Sequence, residues 1–381
     1  MLLWFLTDVA GCDHAAMLEL SMIRSYFAML FVVAAISPLS AQTVPSPAEH
    51  SQSRTDAEAA LTRINGAGAS IAYPLLSAWS EEYNHPHADR RVSYQAAGSG
   101  VGMRGLTEKT ISFAVTSWAV SAEQLASANG LIVQFPVALN AVVPVYNLAQ
   151  VPMLRLSGST LAEIFLGGIT RWDDAAIAAD NPGVKLPRMD IKVVHHFPDD
   201  KQTDTRMMAD YLSTVSPPFK GTLAKSSKWP VPNASAGYIK GSGKLGFIAE
   251  TPGSIGYSEF ENVRDSPLAY AAVKNTDGEF VKASPEFLAS SAASAIPPVG
   301  RGAKDFRVSI VNAPGKKSYP IASFVWLVFY EDSGEEQSAV VADFLKWVLT
   351  DGQKTAVKLG YPPLPRNLVE IELQRLGVGG K

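Results

Sequence analysis

INGAGASIAYPLLSAWSEEYN, residues 64–84, joins a strand pattern to a helix pattern through closely spaced glycines, which is the first indication of the fold. Gly66, Gly68 and Ser70 stand immediately before the amphipathic helix. Glycines at a strand-to-helix turn let backbone N–H groups point outward, and the helix start adds the positive end of its dipole. Such a turn is suited to holding an anion, although a simple helix cap at Ser70 accounts for the same residues.

The pattern of strand, glycine-containing turn and helix recurs further along the chain. RRVSYQAA alternates like a strand and runs into GSGVGMRGLTEK, a second glycine–serine turn that opens a helix. TISFAVTSWAVS is a short apolar strand that ends in hydroxyl side chains, and the helix SAEQLASAN follows it. Alternating strands and helices predict an α/β sheet, with the ligand-type residues at the carboxyl ends of its strands.

Length and composition bound the class of protein. The chain has 381 residues, of which 47% are hydrophobic and 18% charged, so a globular protein of two lobes is expected. A formal net charge of -3 provides no basic face for nucleic acid. The single cysteine, Cys12, excludes a disulfide framework, and six scattered histidines disfavour a transition-metal site. No cofactor is therefore predicted.

The amino terminus has the pattern of an export signal. MIRSYFAMLFVVAAISPLSAQ, residues 22–42, places a basic residue before an apolar run and ends in small residues, which predicts cleavage near Ala41. We therefore assign residues 1–41 to targeting, and expect translation to begin at Met22 because acidic side chains precede it. The polar, Pro- and Ser-rich residues 42–60 predict a flexible tether. A protein exported to the periplasm or secreted is expected.

Several stretches, in this order, resemble the periplasmic phosphate-binding proteins of ABC importers. The matching pieces are GAGASIAYP, VSYQAAGSGVGMRGL, LAEIFLGGITRWDDAAIAADNPGVKLP, TPGSIGYSE, YPIASFVWLVF and GYPPLP, which extend from residue 64 to about residue 368. The block IFLGGITRWDD…NPG is the most specific, because spacing this long seldom recurs by chance. The resemblance implies a two-lobed α/β fold of the periplasmic binding-protein type II class, with a hinge and a ligand cleft between the lobes.

The resemblance also implies how the chain is divided. Lobe one would take residues 61–140 and 258–370, and lobe two would take residues 141–257, followed by a tail at 371–381. The long apolar run LIVQFPVALNAVVPVYN is broken by two prolines that rule out a continuous helix. We expect it to cross between the lobes in extended form, and the resemblance places the hinge at two crossings, residues 136–146 and near residues 253–260.

Two anion-binding turns follow from the resemblance. The first turn presents Ser70 and the amide of Ile71 to the bound oxyanion. The second presents Ser99, and the amide of Gly100 belongs to the helix start that follows. Both agree with the physical argument from the glycine turns, in which neutral dipoles converge on a desolvated anion and each charge-assisted bond contributes about 1.5–3 kcal/mol.

Two positions depart from the family pattern. Ser117 stands where family members carry an aspartate that accepts a hydrogen bond from the proton that phosphate retains near neutral pH. Sulfate has no such proton, so a carboxylate at this position disfavours sulfate binding. A serine can donate or accept a hydrogen bond and should discriminate less between phosphate and sulfate. His195 or His196 stands in place of an arginine, and a histidine offers at most one charged donor near neutrality.

The turn after these histidines, HHFPDDKQTDTRMM, lacks the family's glycines and leaves three interpretations open. Its aspartates fill or shield the former anion site, because a carboxylate at a helix start is itself the anion that the dipole attracts. Alternatively, one aspartate replaces the missing family aspartate while Lys201 or Arg206 replaces the arginine. In the third interpretation the ligand has changed. The residues of this turn that we expect to contact the ligand are His196, Gln202, Thr203 and Asp204.

The leading hypothesis is a monomeric binding protein that performs no chemistry. It would capture inorganic phosphate, or a related oxyanion, and deliver it to an ABC permease in the membrane. One alternative is a diverged receptor that has lost anion binding and serves in signalling or adhesion. The other is a secreted phosphoester hydrolase, for which the cluster His195, His196, Asp199 and Asp200 is poorly arranged, because adjacent residues on an extended stretch point to alternate sides.

Overall fold

The computed structural model describes residues 61–128, 130–196, 203–226, 236–239, 243–295, 306–331 and 335–377. All of them belong to the larger of the two compact units into which the chain divides, Thr55–Lys381. The predicted targeting segment and tether, residues 1–60, lie outside the described residues.

Short runs rich in Val, Ile, Phe and Tyr form most of the strands, as the preference of these side chains for a pleated, buried surface favours. The strands are β1 (Thr62–Gly68), β2 (Arg90–Ala96), β3 (Phe113–Thr116), β4 (Ile132–Tyr146), β5 (Arg155–Leu156), β6 (Lys192–His196), β7 (Ala236–Ile239), β8 (Ser254–Glu259), β9 (Ala269–Tyr270), β10 (Ala272–Lys274), β11 (Phe280–Val281) and β12 (Ala322–Tyr330).

Helices alternate with many of these strands, which gives the α/β order that the sequence predicts. They are α1 (Tyr73–Asn84), α2 (Ser99–Thr107), α3 (Ala122–Ala126), α4 (Gly158–Leu166), α5 (Ala175–Asp180), α6 (Thr203–Val215), α7 (Pro217–Ser226), α8 (Lys244–Glu250), α9 (Phe260–Val263), α10 (Pro285–Ala295), α11 (Glu335–Leu349), α12 (Asp351–Lys358) and α13 (Arg366–Arg375). In the part of the chain that the structure describes, no helix combines the length and the apolar character needed to cross a bilayer.

One large mixed sheet carries the fold. Within the described residues its strands follow the order β2-β1-β3-β12-β4-β8-β6-β7, and β9 pairs separately with β4. Strand β1 pairs in parallel with β2 and β3, and β6 pairs in parallel with β7 and β8. The sheet therefore has a parallel group on each side of the two antiparallel strands β12 and β4. A small second sheet joins β11, β10 and β5.

Strand β4 connects the two parallel groups. It pairs antiparallel with β12 over residues 132–141 and with β8 over residues 142–146, and all of its residues are buried. Pro136 lies at a register shift in the pairing with β12, where an irregularity tolerates a residue that has no N–H to donate. The proline-containing run is thus extended along its whole length, as predicted.

The glycines of the stretch 64–84 serve close strand packing as well as the turn. A Cβ on Gly66 would overlap the ring of Phe113 on the neighbouring strand β3. Gly68 has a φ of 150°, and a Cβ there would overlap the carbonyl oxygen of Val115. Only glycine lets β1 approach β3 this closely and then turn into α1.

Trp79 anchors α1 to the last third of the chain. Its side chain is fully buried, and its indole N–H donates to the carbonyl oxygen of Gly352 at 2.7 Å. The same helix presents Tyr73 to solvent, with 47% of that side chain exposed. A buried indole contributes both apolar contact and a satisfied hydrogen bond, so Trp79 fixes the helix that follows the first turn.

We expect Trp79→Ala to lower the free energy of unfolding by about 3–5 kcal/mol, because it leaves a cavity and an unpaired Gly352 carbonyl. Urea unfolding followed by circular dichroism measures this loss. The matched control is Tyr73→Ala on the exposed face of the same helix, for which we expect a change within about 0.5 kcal/mol. Equal losses in the two variants would contradict the anchoring role of Trp79.

Candidate functional site

Three strand ends bring the predicted turns together at one edge of the sheet. Gly68, the last residue of β1, pairs with Ala96 at the end of β2 and with Val115 near the end of β3. Because the three strands are parallel, the residues that follow them emerge at the same edge. Ser70, Ser99 and Ser117, which the sequence places after three different strands, are therefore grouped by the fold.

The first turn, residues 69–72, leaves β1 and opens α1. The amide of Ala69 donates to the carbonyl oxygen of Val115 at 2.8 Å, and residues 70–72 form one turn of 3-10 helix. Ser70 is exposed and Ile71 is half-buried. Because their amides stand at a helix start, they have no intrahelical acceptor and can donate to a ligand.

The second turn enters α2 through Gly98, whose φ of 84° favours glycine. Ser99 is buried, and its hydroxyl oxygen accepts a hydrogen bond from the amide of Ser117 at 3.3 Å. Since that oxygen is used as an acceptor, the hydroxyl proton of Ser99 is available to donate elsewhere. Gly100 is exposed, with open space beside its Cα.

Ser117 is the most enclosed of the predicted contacts. The residue is fully buried, and its carbonyl oxygen accepts from the hydroxyl of Ser323 at 3.1 Å. Its own hydroxyl has no partner among the described residues. A buried hydroxyl without a partner costs about 1–3 kcal/mol, so Ser117 is a polar group that a ligand at this edge would satisfy.

Helix α6 reaches this edge from the other parallel group of the sheet. The guanidinium carbon of Arg206 lies 4.6 Å from the centre of the ring of Trp118, which is the residue directly after Ser117. In addition, the side-chain amide of Asn140 on β4 donates to the sulfur of Met207 at 3.6 Å. These contacts bring the first turns of α6 to the end of β3 and place a permanent cation there.

Asp204, in the first turn of α6, is held by a buried ion pair. Its carboxylate lies 2.6 Å from the ammonium nitrogen of Lys244, and the two side chains are 7% and 4% exposed. The amide of Thr205 donates to the other carboxylate oxygen at 2.7 Å, and the Lys244 ammonium lies 3.9 Å from the centre of the Tyr257 ring. Asp204 is thus already engaged by donors from the protein.

Two further carboxyl groups follow: Glu259, at the end of β8, lies near this pair, and Glu261, in α9, interacts with Glu259. Burial, together with the negative charges of Asp204 and Glu261, raises the pKa of Glu259 to about 8. Burial also raises the pKa of Glu261 to about 7. The raised pKa of Glu259 limits the negative charge next to Asp204.

The remaining predicted contacts fall at or beyond the limits of the described residues. His195 is fully buried in β6, and His196 ends that strand. The side chain of His196 and residues 197–202, which include Gln202, lie outside the described residues. Thr203 begins α6 and is half-buried.

Sequence reasoning missed three residues of this region: Lys244, Asn140 and Ser323. Asn140 and Ser323 are polar residues inside the apolar runs VALNAVV and IASFVWL, where they face each other across β4 and β12. A polar residue in a buried run was the signal that could have identified them. For Lys244 no such local signal exists, because its partner Asp204 is 40 residues away.

Comparison with known proteins gives a consistent family and fold. A family model described as a PBP superfamily domain matches residues 48–352. A phosphate-binding protein PstS from Xylella fastidiosa (strain 9a5c) is 36% identical over 336 residues, which cover 86% of this chain and 86% of that protein. The structure of a human phosphate binding apolipoprotein superposes with a TM-score of 0.62 and 20% identity, over 82% of this chain and 93% of that one.

A second solved structure agrees with the first. An ABC-type phosphate transport receptor from Vibrio cholerae has a TM-score of 0.55 and 17% identity, over 79% of this chain and all (100%) of that chain. Together with the family match, these similarities confirm the predicted two-lobed α/β fold of the periplasmic binding-protein class.

We expect Lys244→Met to lower the free energy of unfolding by about 3–5 kcal/mol, because it leaves the Asp204 carboxylate buried without its cation. Urea unfolding at pH 7 measures the effect. The control is Lys354→Met, which breaks an exposed ion pair. Lys354 lies 2.7 Å from Asp351, and the two side chains are 75% and 59% exposed. This substitution should lower the free energy of unfolding by less than about 1 kcal/mol. A loss no larger than that of the control would contradict the importance of the buried pair.

Proposed function

The chain belongs to the family of PstS phosphate-binding proteins, and we propose that it captures inorganic phosphate outside the cytoplasm for delivery to an ABC importer. The observation that carries this proposal is the grouping of Ser70, Ser99 and Ser117 at one sheet edge, where hydroxyls and helix-start amides are available as donors. In this role the protein binds its ligand, releases it unchanged and catalyses no reaction.

The proposed contacts come first from the two glycine-containing turns. The amide of Ile71 and the hydroxyl and amide of Ser70 would donate from the first turn. The hydroxyl of Ser99 and the amide of Gly100 would donate from the second turn. Ser117 would donate from beneath the ligand, since its hydroxyl has no partner among the described residues. Donors that are fixed before the ligand arrives need little reordering, which favours tight binding.

The other side of the proposed site is supplied by α6. Thr203 would offer its hydroxyl at the helix start, and Arg206 would offer the positive charge that the family obtains from an arginine elsewhere. Asp204 is engaged by Lys244, which argues against its acting as the acceptor of a phosphate proton. Of the interpretations that the sequence left open, we favour one part of the second. Arg206 replaces the arginine of the family, but Asp204 does not replace the aspartate of the family.

The lobe boundaries that we propose are those predicted from the sequence, residues 61–140 with 258–370 and residues 141–257. The change of partner along β4, from β12 to β8 after residue 141, supports a boundary at this point. Bending at the β4 and β8 crossings would open and close the cleft between Ser117 and α6. The ligand would thus be enclosed between Arg206 on one lobe and the serine-bearing turns on the other.

We further propose that the protein works as a monomer in the periplasm. The sequence pattern of residues 22–41 supports export by a cleavable signal. A solute-binding protein of this class meets its permease from outside the membrane, so the ABC permease is the partner to which phosphate would pass.

The test is isothermal titration of purified protein that has been stripped of ligand by mild unfolding and refolding. We expect phosphate to bind with a Kd of about 1 µM or lower at pH 6 and at pH 8, because the serine hydroxyls and backbone amides of the two turns are neutral at both pH values. Sulfate should compete with phosphate for the site. A carboxylate that accepts the proton of phosphate would exclude sulfate, but Asp204 is already paired with Lys244. Absence of heat from both anions at both pH values would overturn the proposed function.

Ser117 provides a sharper test of the anion contacts. We expect Ser117→Ala to weaken phosphate binding about fivefold, because one hydrogen bond of about 1 kcal/mol is lost. We expect Ser117→Asp to weaken sulfate binding at least about tenfold more than phosphate binding, since a carboxylate requires a proton from the ligand.

The matched control for Ser117→Ala is Ser80→Ala. Ser80 is also a buried serine whose hydroxyl has no partner among the described residues, but it lies within α1 and away from the helix start. Its replacement should leave phosphate affinity unchanged. Equal affinities for phosphate in the wild type and in Ser117→Ala would remove Ser117 from the proposed site.

A further inference from the structure

Two tyrosine hydroxyls from distant parts of the chain hold the first turn, residues 69–72. The hydroxyl of Tyr94, on β2, donates to the carbonyl oxygen of Ala69 at 2.8 Å. The hydroxyl of Tyr361, near the carboxyl end of the chain, donates to the carbonyl oxygen of Ile71 at 3.2 Å. The two hydroxyls therefore bind carbonyl groups on either side of Ser70.

These bonds determine where the amides of the turn point. A trans peptide group is planar, so its N–H points opposite to its C=O. Tyr94 fixes the carbonyl of Ala69 and thereby directs the N–H of Ser70 to the opposite side. The carbonyl of Ser70 accepts from the amide of Tyr73, which in the same way directs the N–H of Ile71. Tyr361 fixes the third peptide group, whose N–H, on Ala72, donates back to the carbonyl of Ala69.

Both tyrosines are themselves held in place. The ring of Tyr94 stacks against Phe113, with ring centres 6.4 Å apart and an interplanar angle of 17°. Tyr361 is 6% exposed, and its amide donates to the carbonyl oxygen of Ala356 at 2.9 Å. Arg264 donates to the carbonyl oxygen of Gly360, the residue before Tyr361, at 3.0 Å. Burial raises the pKa of both phenols well above the usual range, so both remain donors at physiological pH.

We propose that Tyr94 and Tyr361 are positioning residues that hold the first turn in the conformation that presents the amides of Ser70 and Ile71 to an oxyanion. Tyr94 acts on the peptide group that carries the Ser70 amide, and Tyr361 acts on the peptide group that follows Ile71 and closes the turn. The proposal rests on the proposed function, which places the anion at this turn. Without the two hydroxyls, the carbonyls of Ala69 and Ile71 each lose a hydrogen bond, and rotation of a peptide group would turn a carbonyl oxygen toward the ligand. A carbonyl oxygen repels an oxyanion, so the cost falls on binding as well as on stability.

The experiment titrates phosphate into the full chain and into Tyr94→Phe and Tyr361→Phe. Each variant is expected to bind phosphate about five- to twentyfold more weakly, the range for one lost hydrogen bond together with looser preorganisation. A second readout is the amide signal of Ile71 in protein labelled with 15N-isoleucine. Its shift on phosphate addition should be smaller in both variants than in the wild type.

The matched control is Tyr270→Phe, which removes a tyrosine hydroxyl that donates to the carbonyl oxygen of Ala283 at 3.2 Å, outside the turn. It should lose comparable stability in thermal unfolding while keeping its phosphate affinity within about twofold. Wild-type affinity and an unchanged Ile71 shift in both turn variants would overturn the positioning role and leave the proposed function standing. No phosphate binding by the wild type would overturn both.

Discussion

The parallel pairing of β1 with β2 and β3 is the constraint on which the rest of the site depends. It places Gly68, Ala96 and Val115 in register, so that the turns after three separate strands meet at one edge. The approach of β1 to β3 is close enough that neither Gly66 nor Gly68 has room for a Cβ. Packing and the proposed function thus require the same glycines, because the glycines that permit the close approach also shape the turn proposed to present its amides to the ligand.

The electrostatic character of the site follows from what is buried around it. The donors at the strand ends are neutral hydroxyls and helix-start amides, which stabilise an anion without the desolvation cost of a buried free cation. The buried charges of Lys244 and Asp204 pair at 2.6 Å, and the raised pKa of Glu259 limits the negative charge beside them. Among the described residues, Arg206, on the surface of α6 over Trp118, is a cation placed to meet a ligand at the proposed site.

Local sequence determined much of this arrangement in advance. The strand, turn and helix of residues 64–84 were predictable because glycine spacing and helical periodicity act over a few residues. The extended course of β4 followed from its two prolines, and the end of β3 at Thr116 followed from the change of apolar residues to hydroxyls.

Contacts between distant residues were not predictable in the same way. The bond from Tyr361 to Ile71 joins residues 290 positions apart, and neither residue carries a local sign of the other. The pairing of Asp204 with Lys244 depends on how α6 and α8 pack, which periodicity does not specify.

A crystal structure of the protein with bound phosphate would test the proposed site directly. We expect phosphate oxygens within about 2.6–3.2 Å of the amide of Ile71, the hydroxyl of Ser99 and the hydroxyl of Ser117, with the guanidinium of Arg206 on the opposite side. Phosphate bound elsewhere, with the amides of the first turn and the hydroxyl of Ser117 uninvolved, would contradict the claim that the parallel strand ends form the binding site.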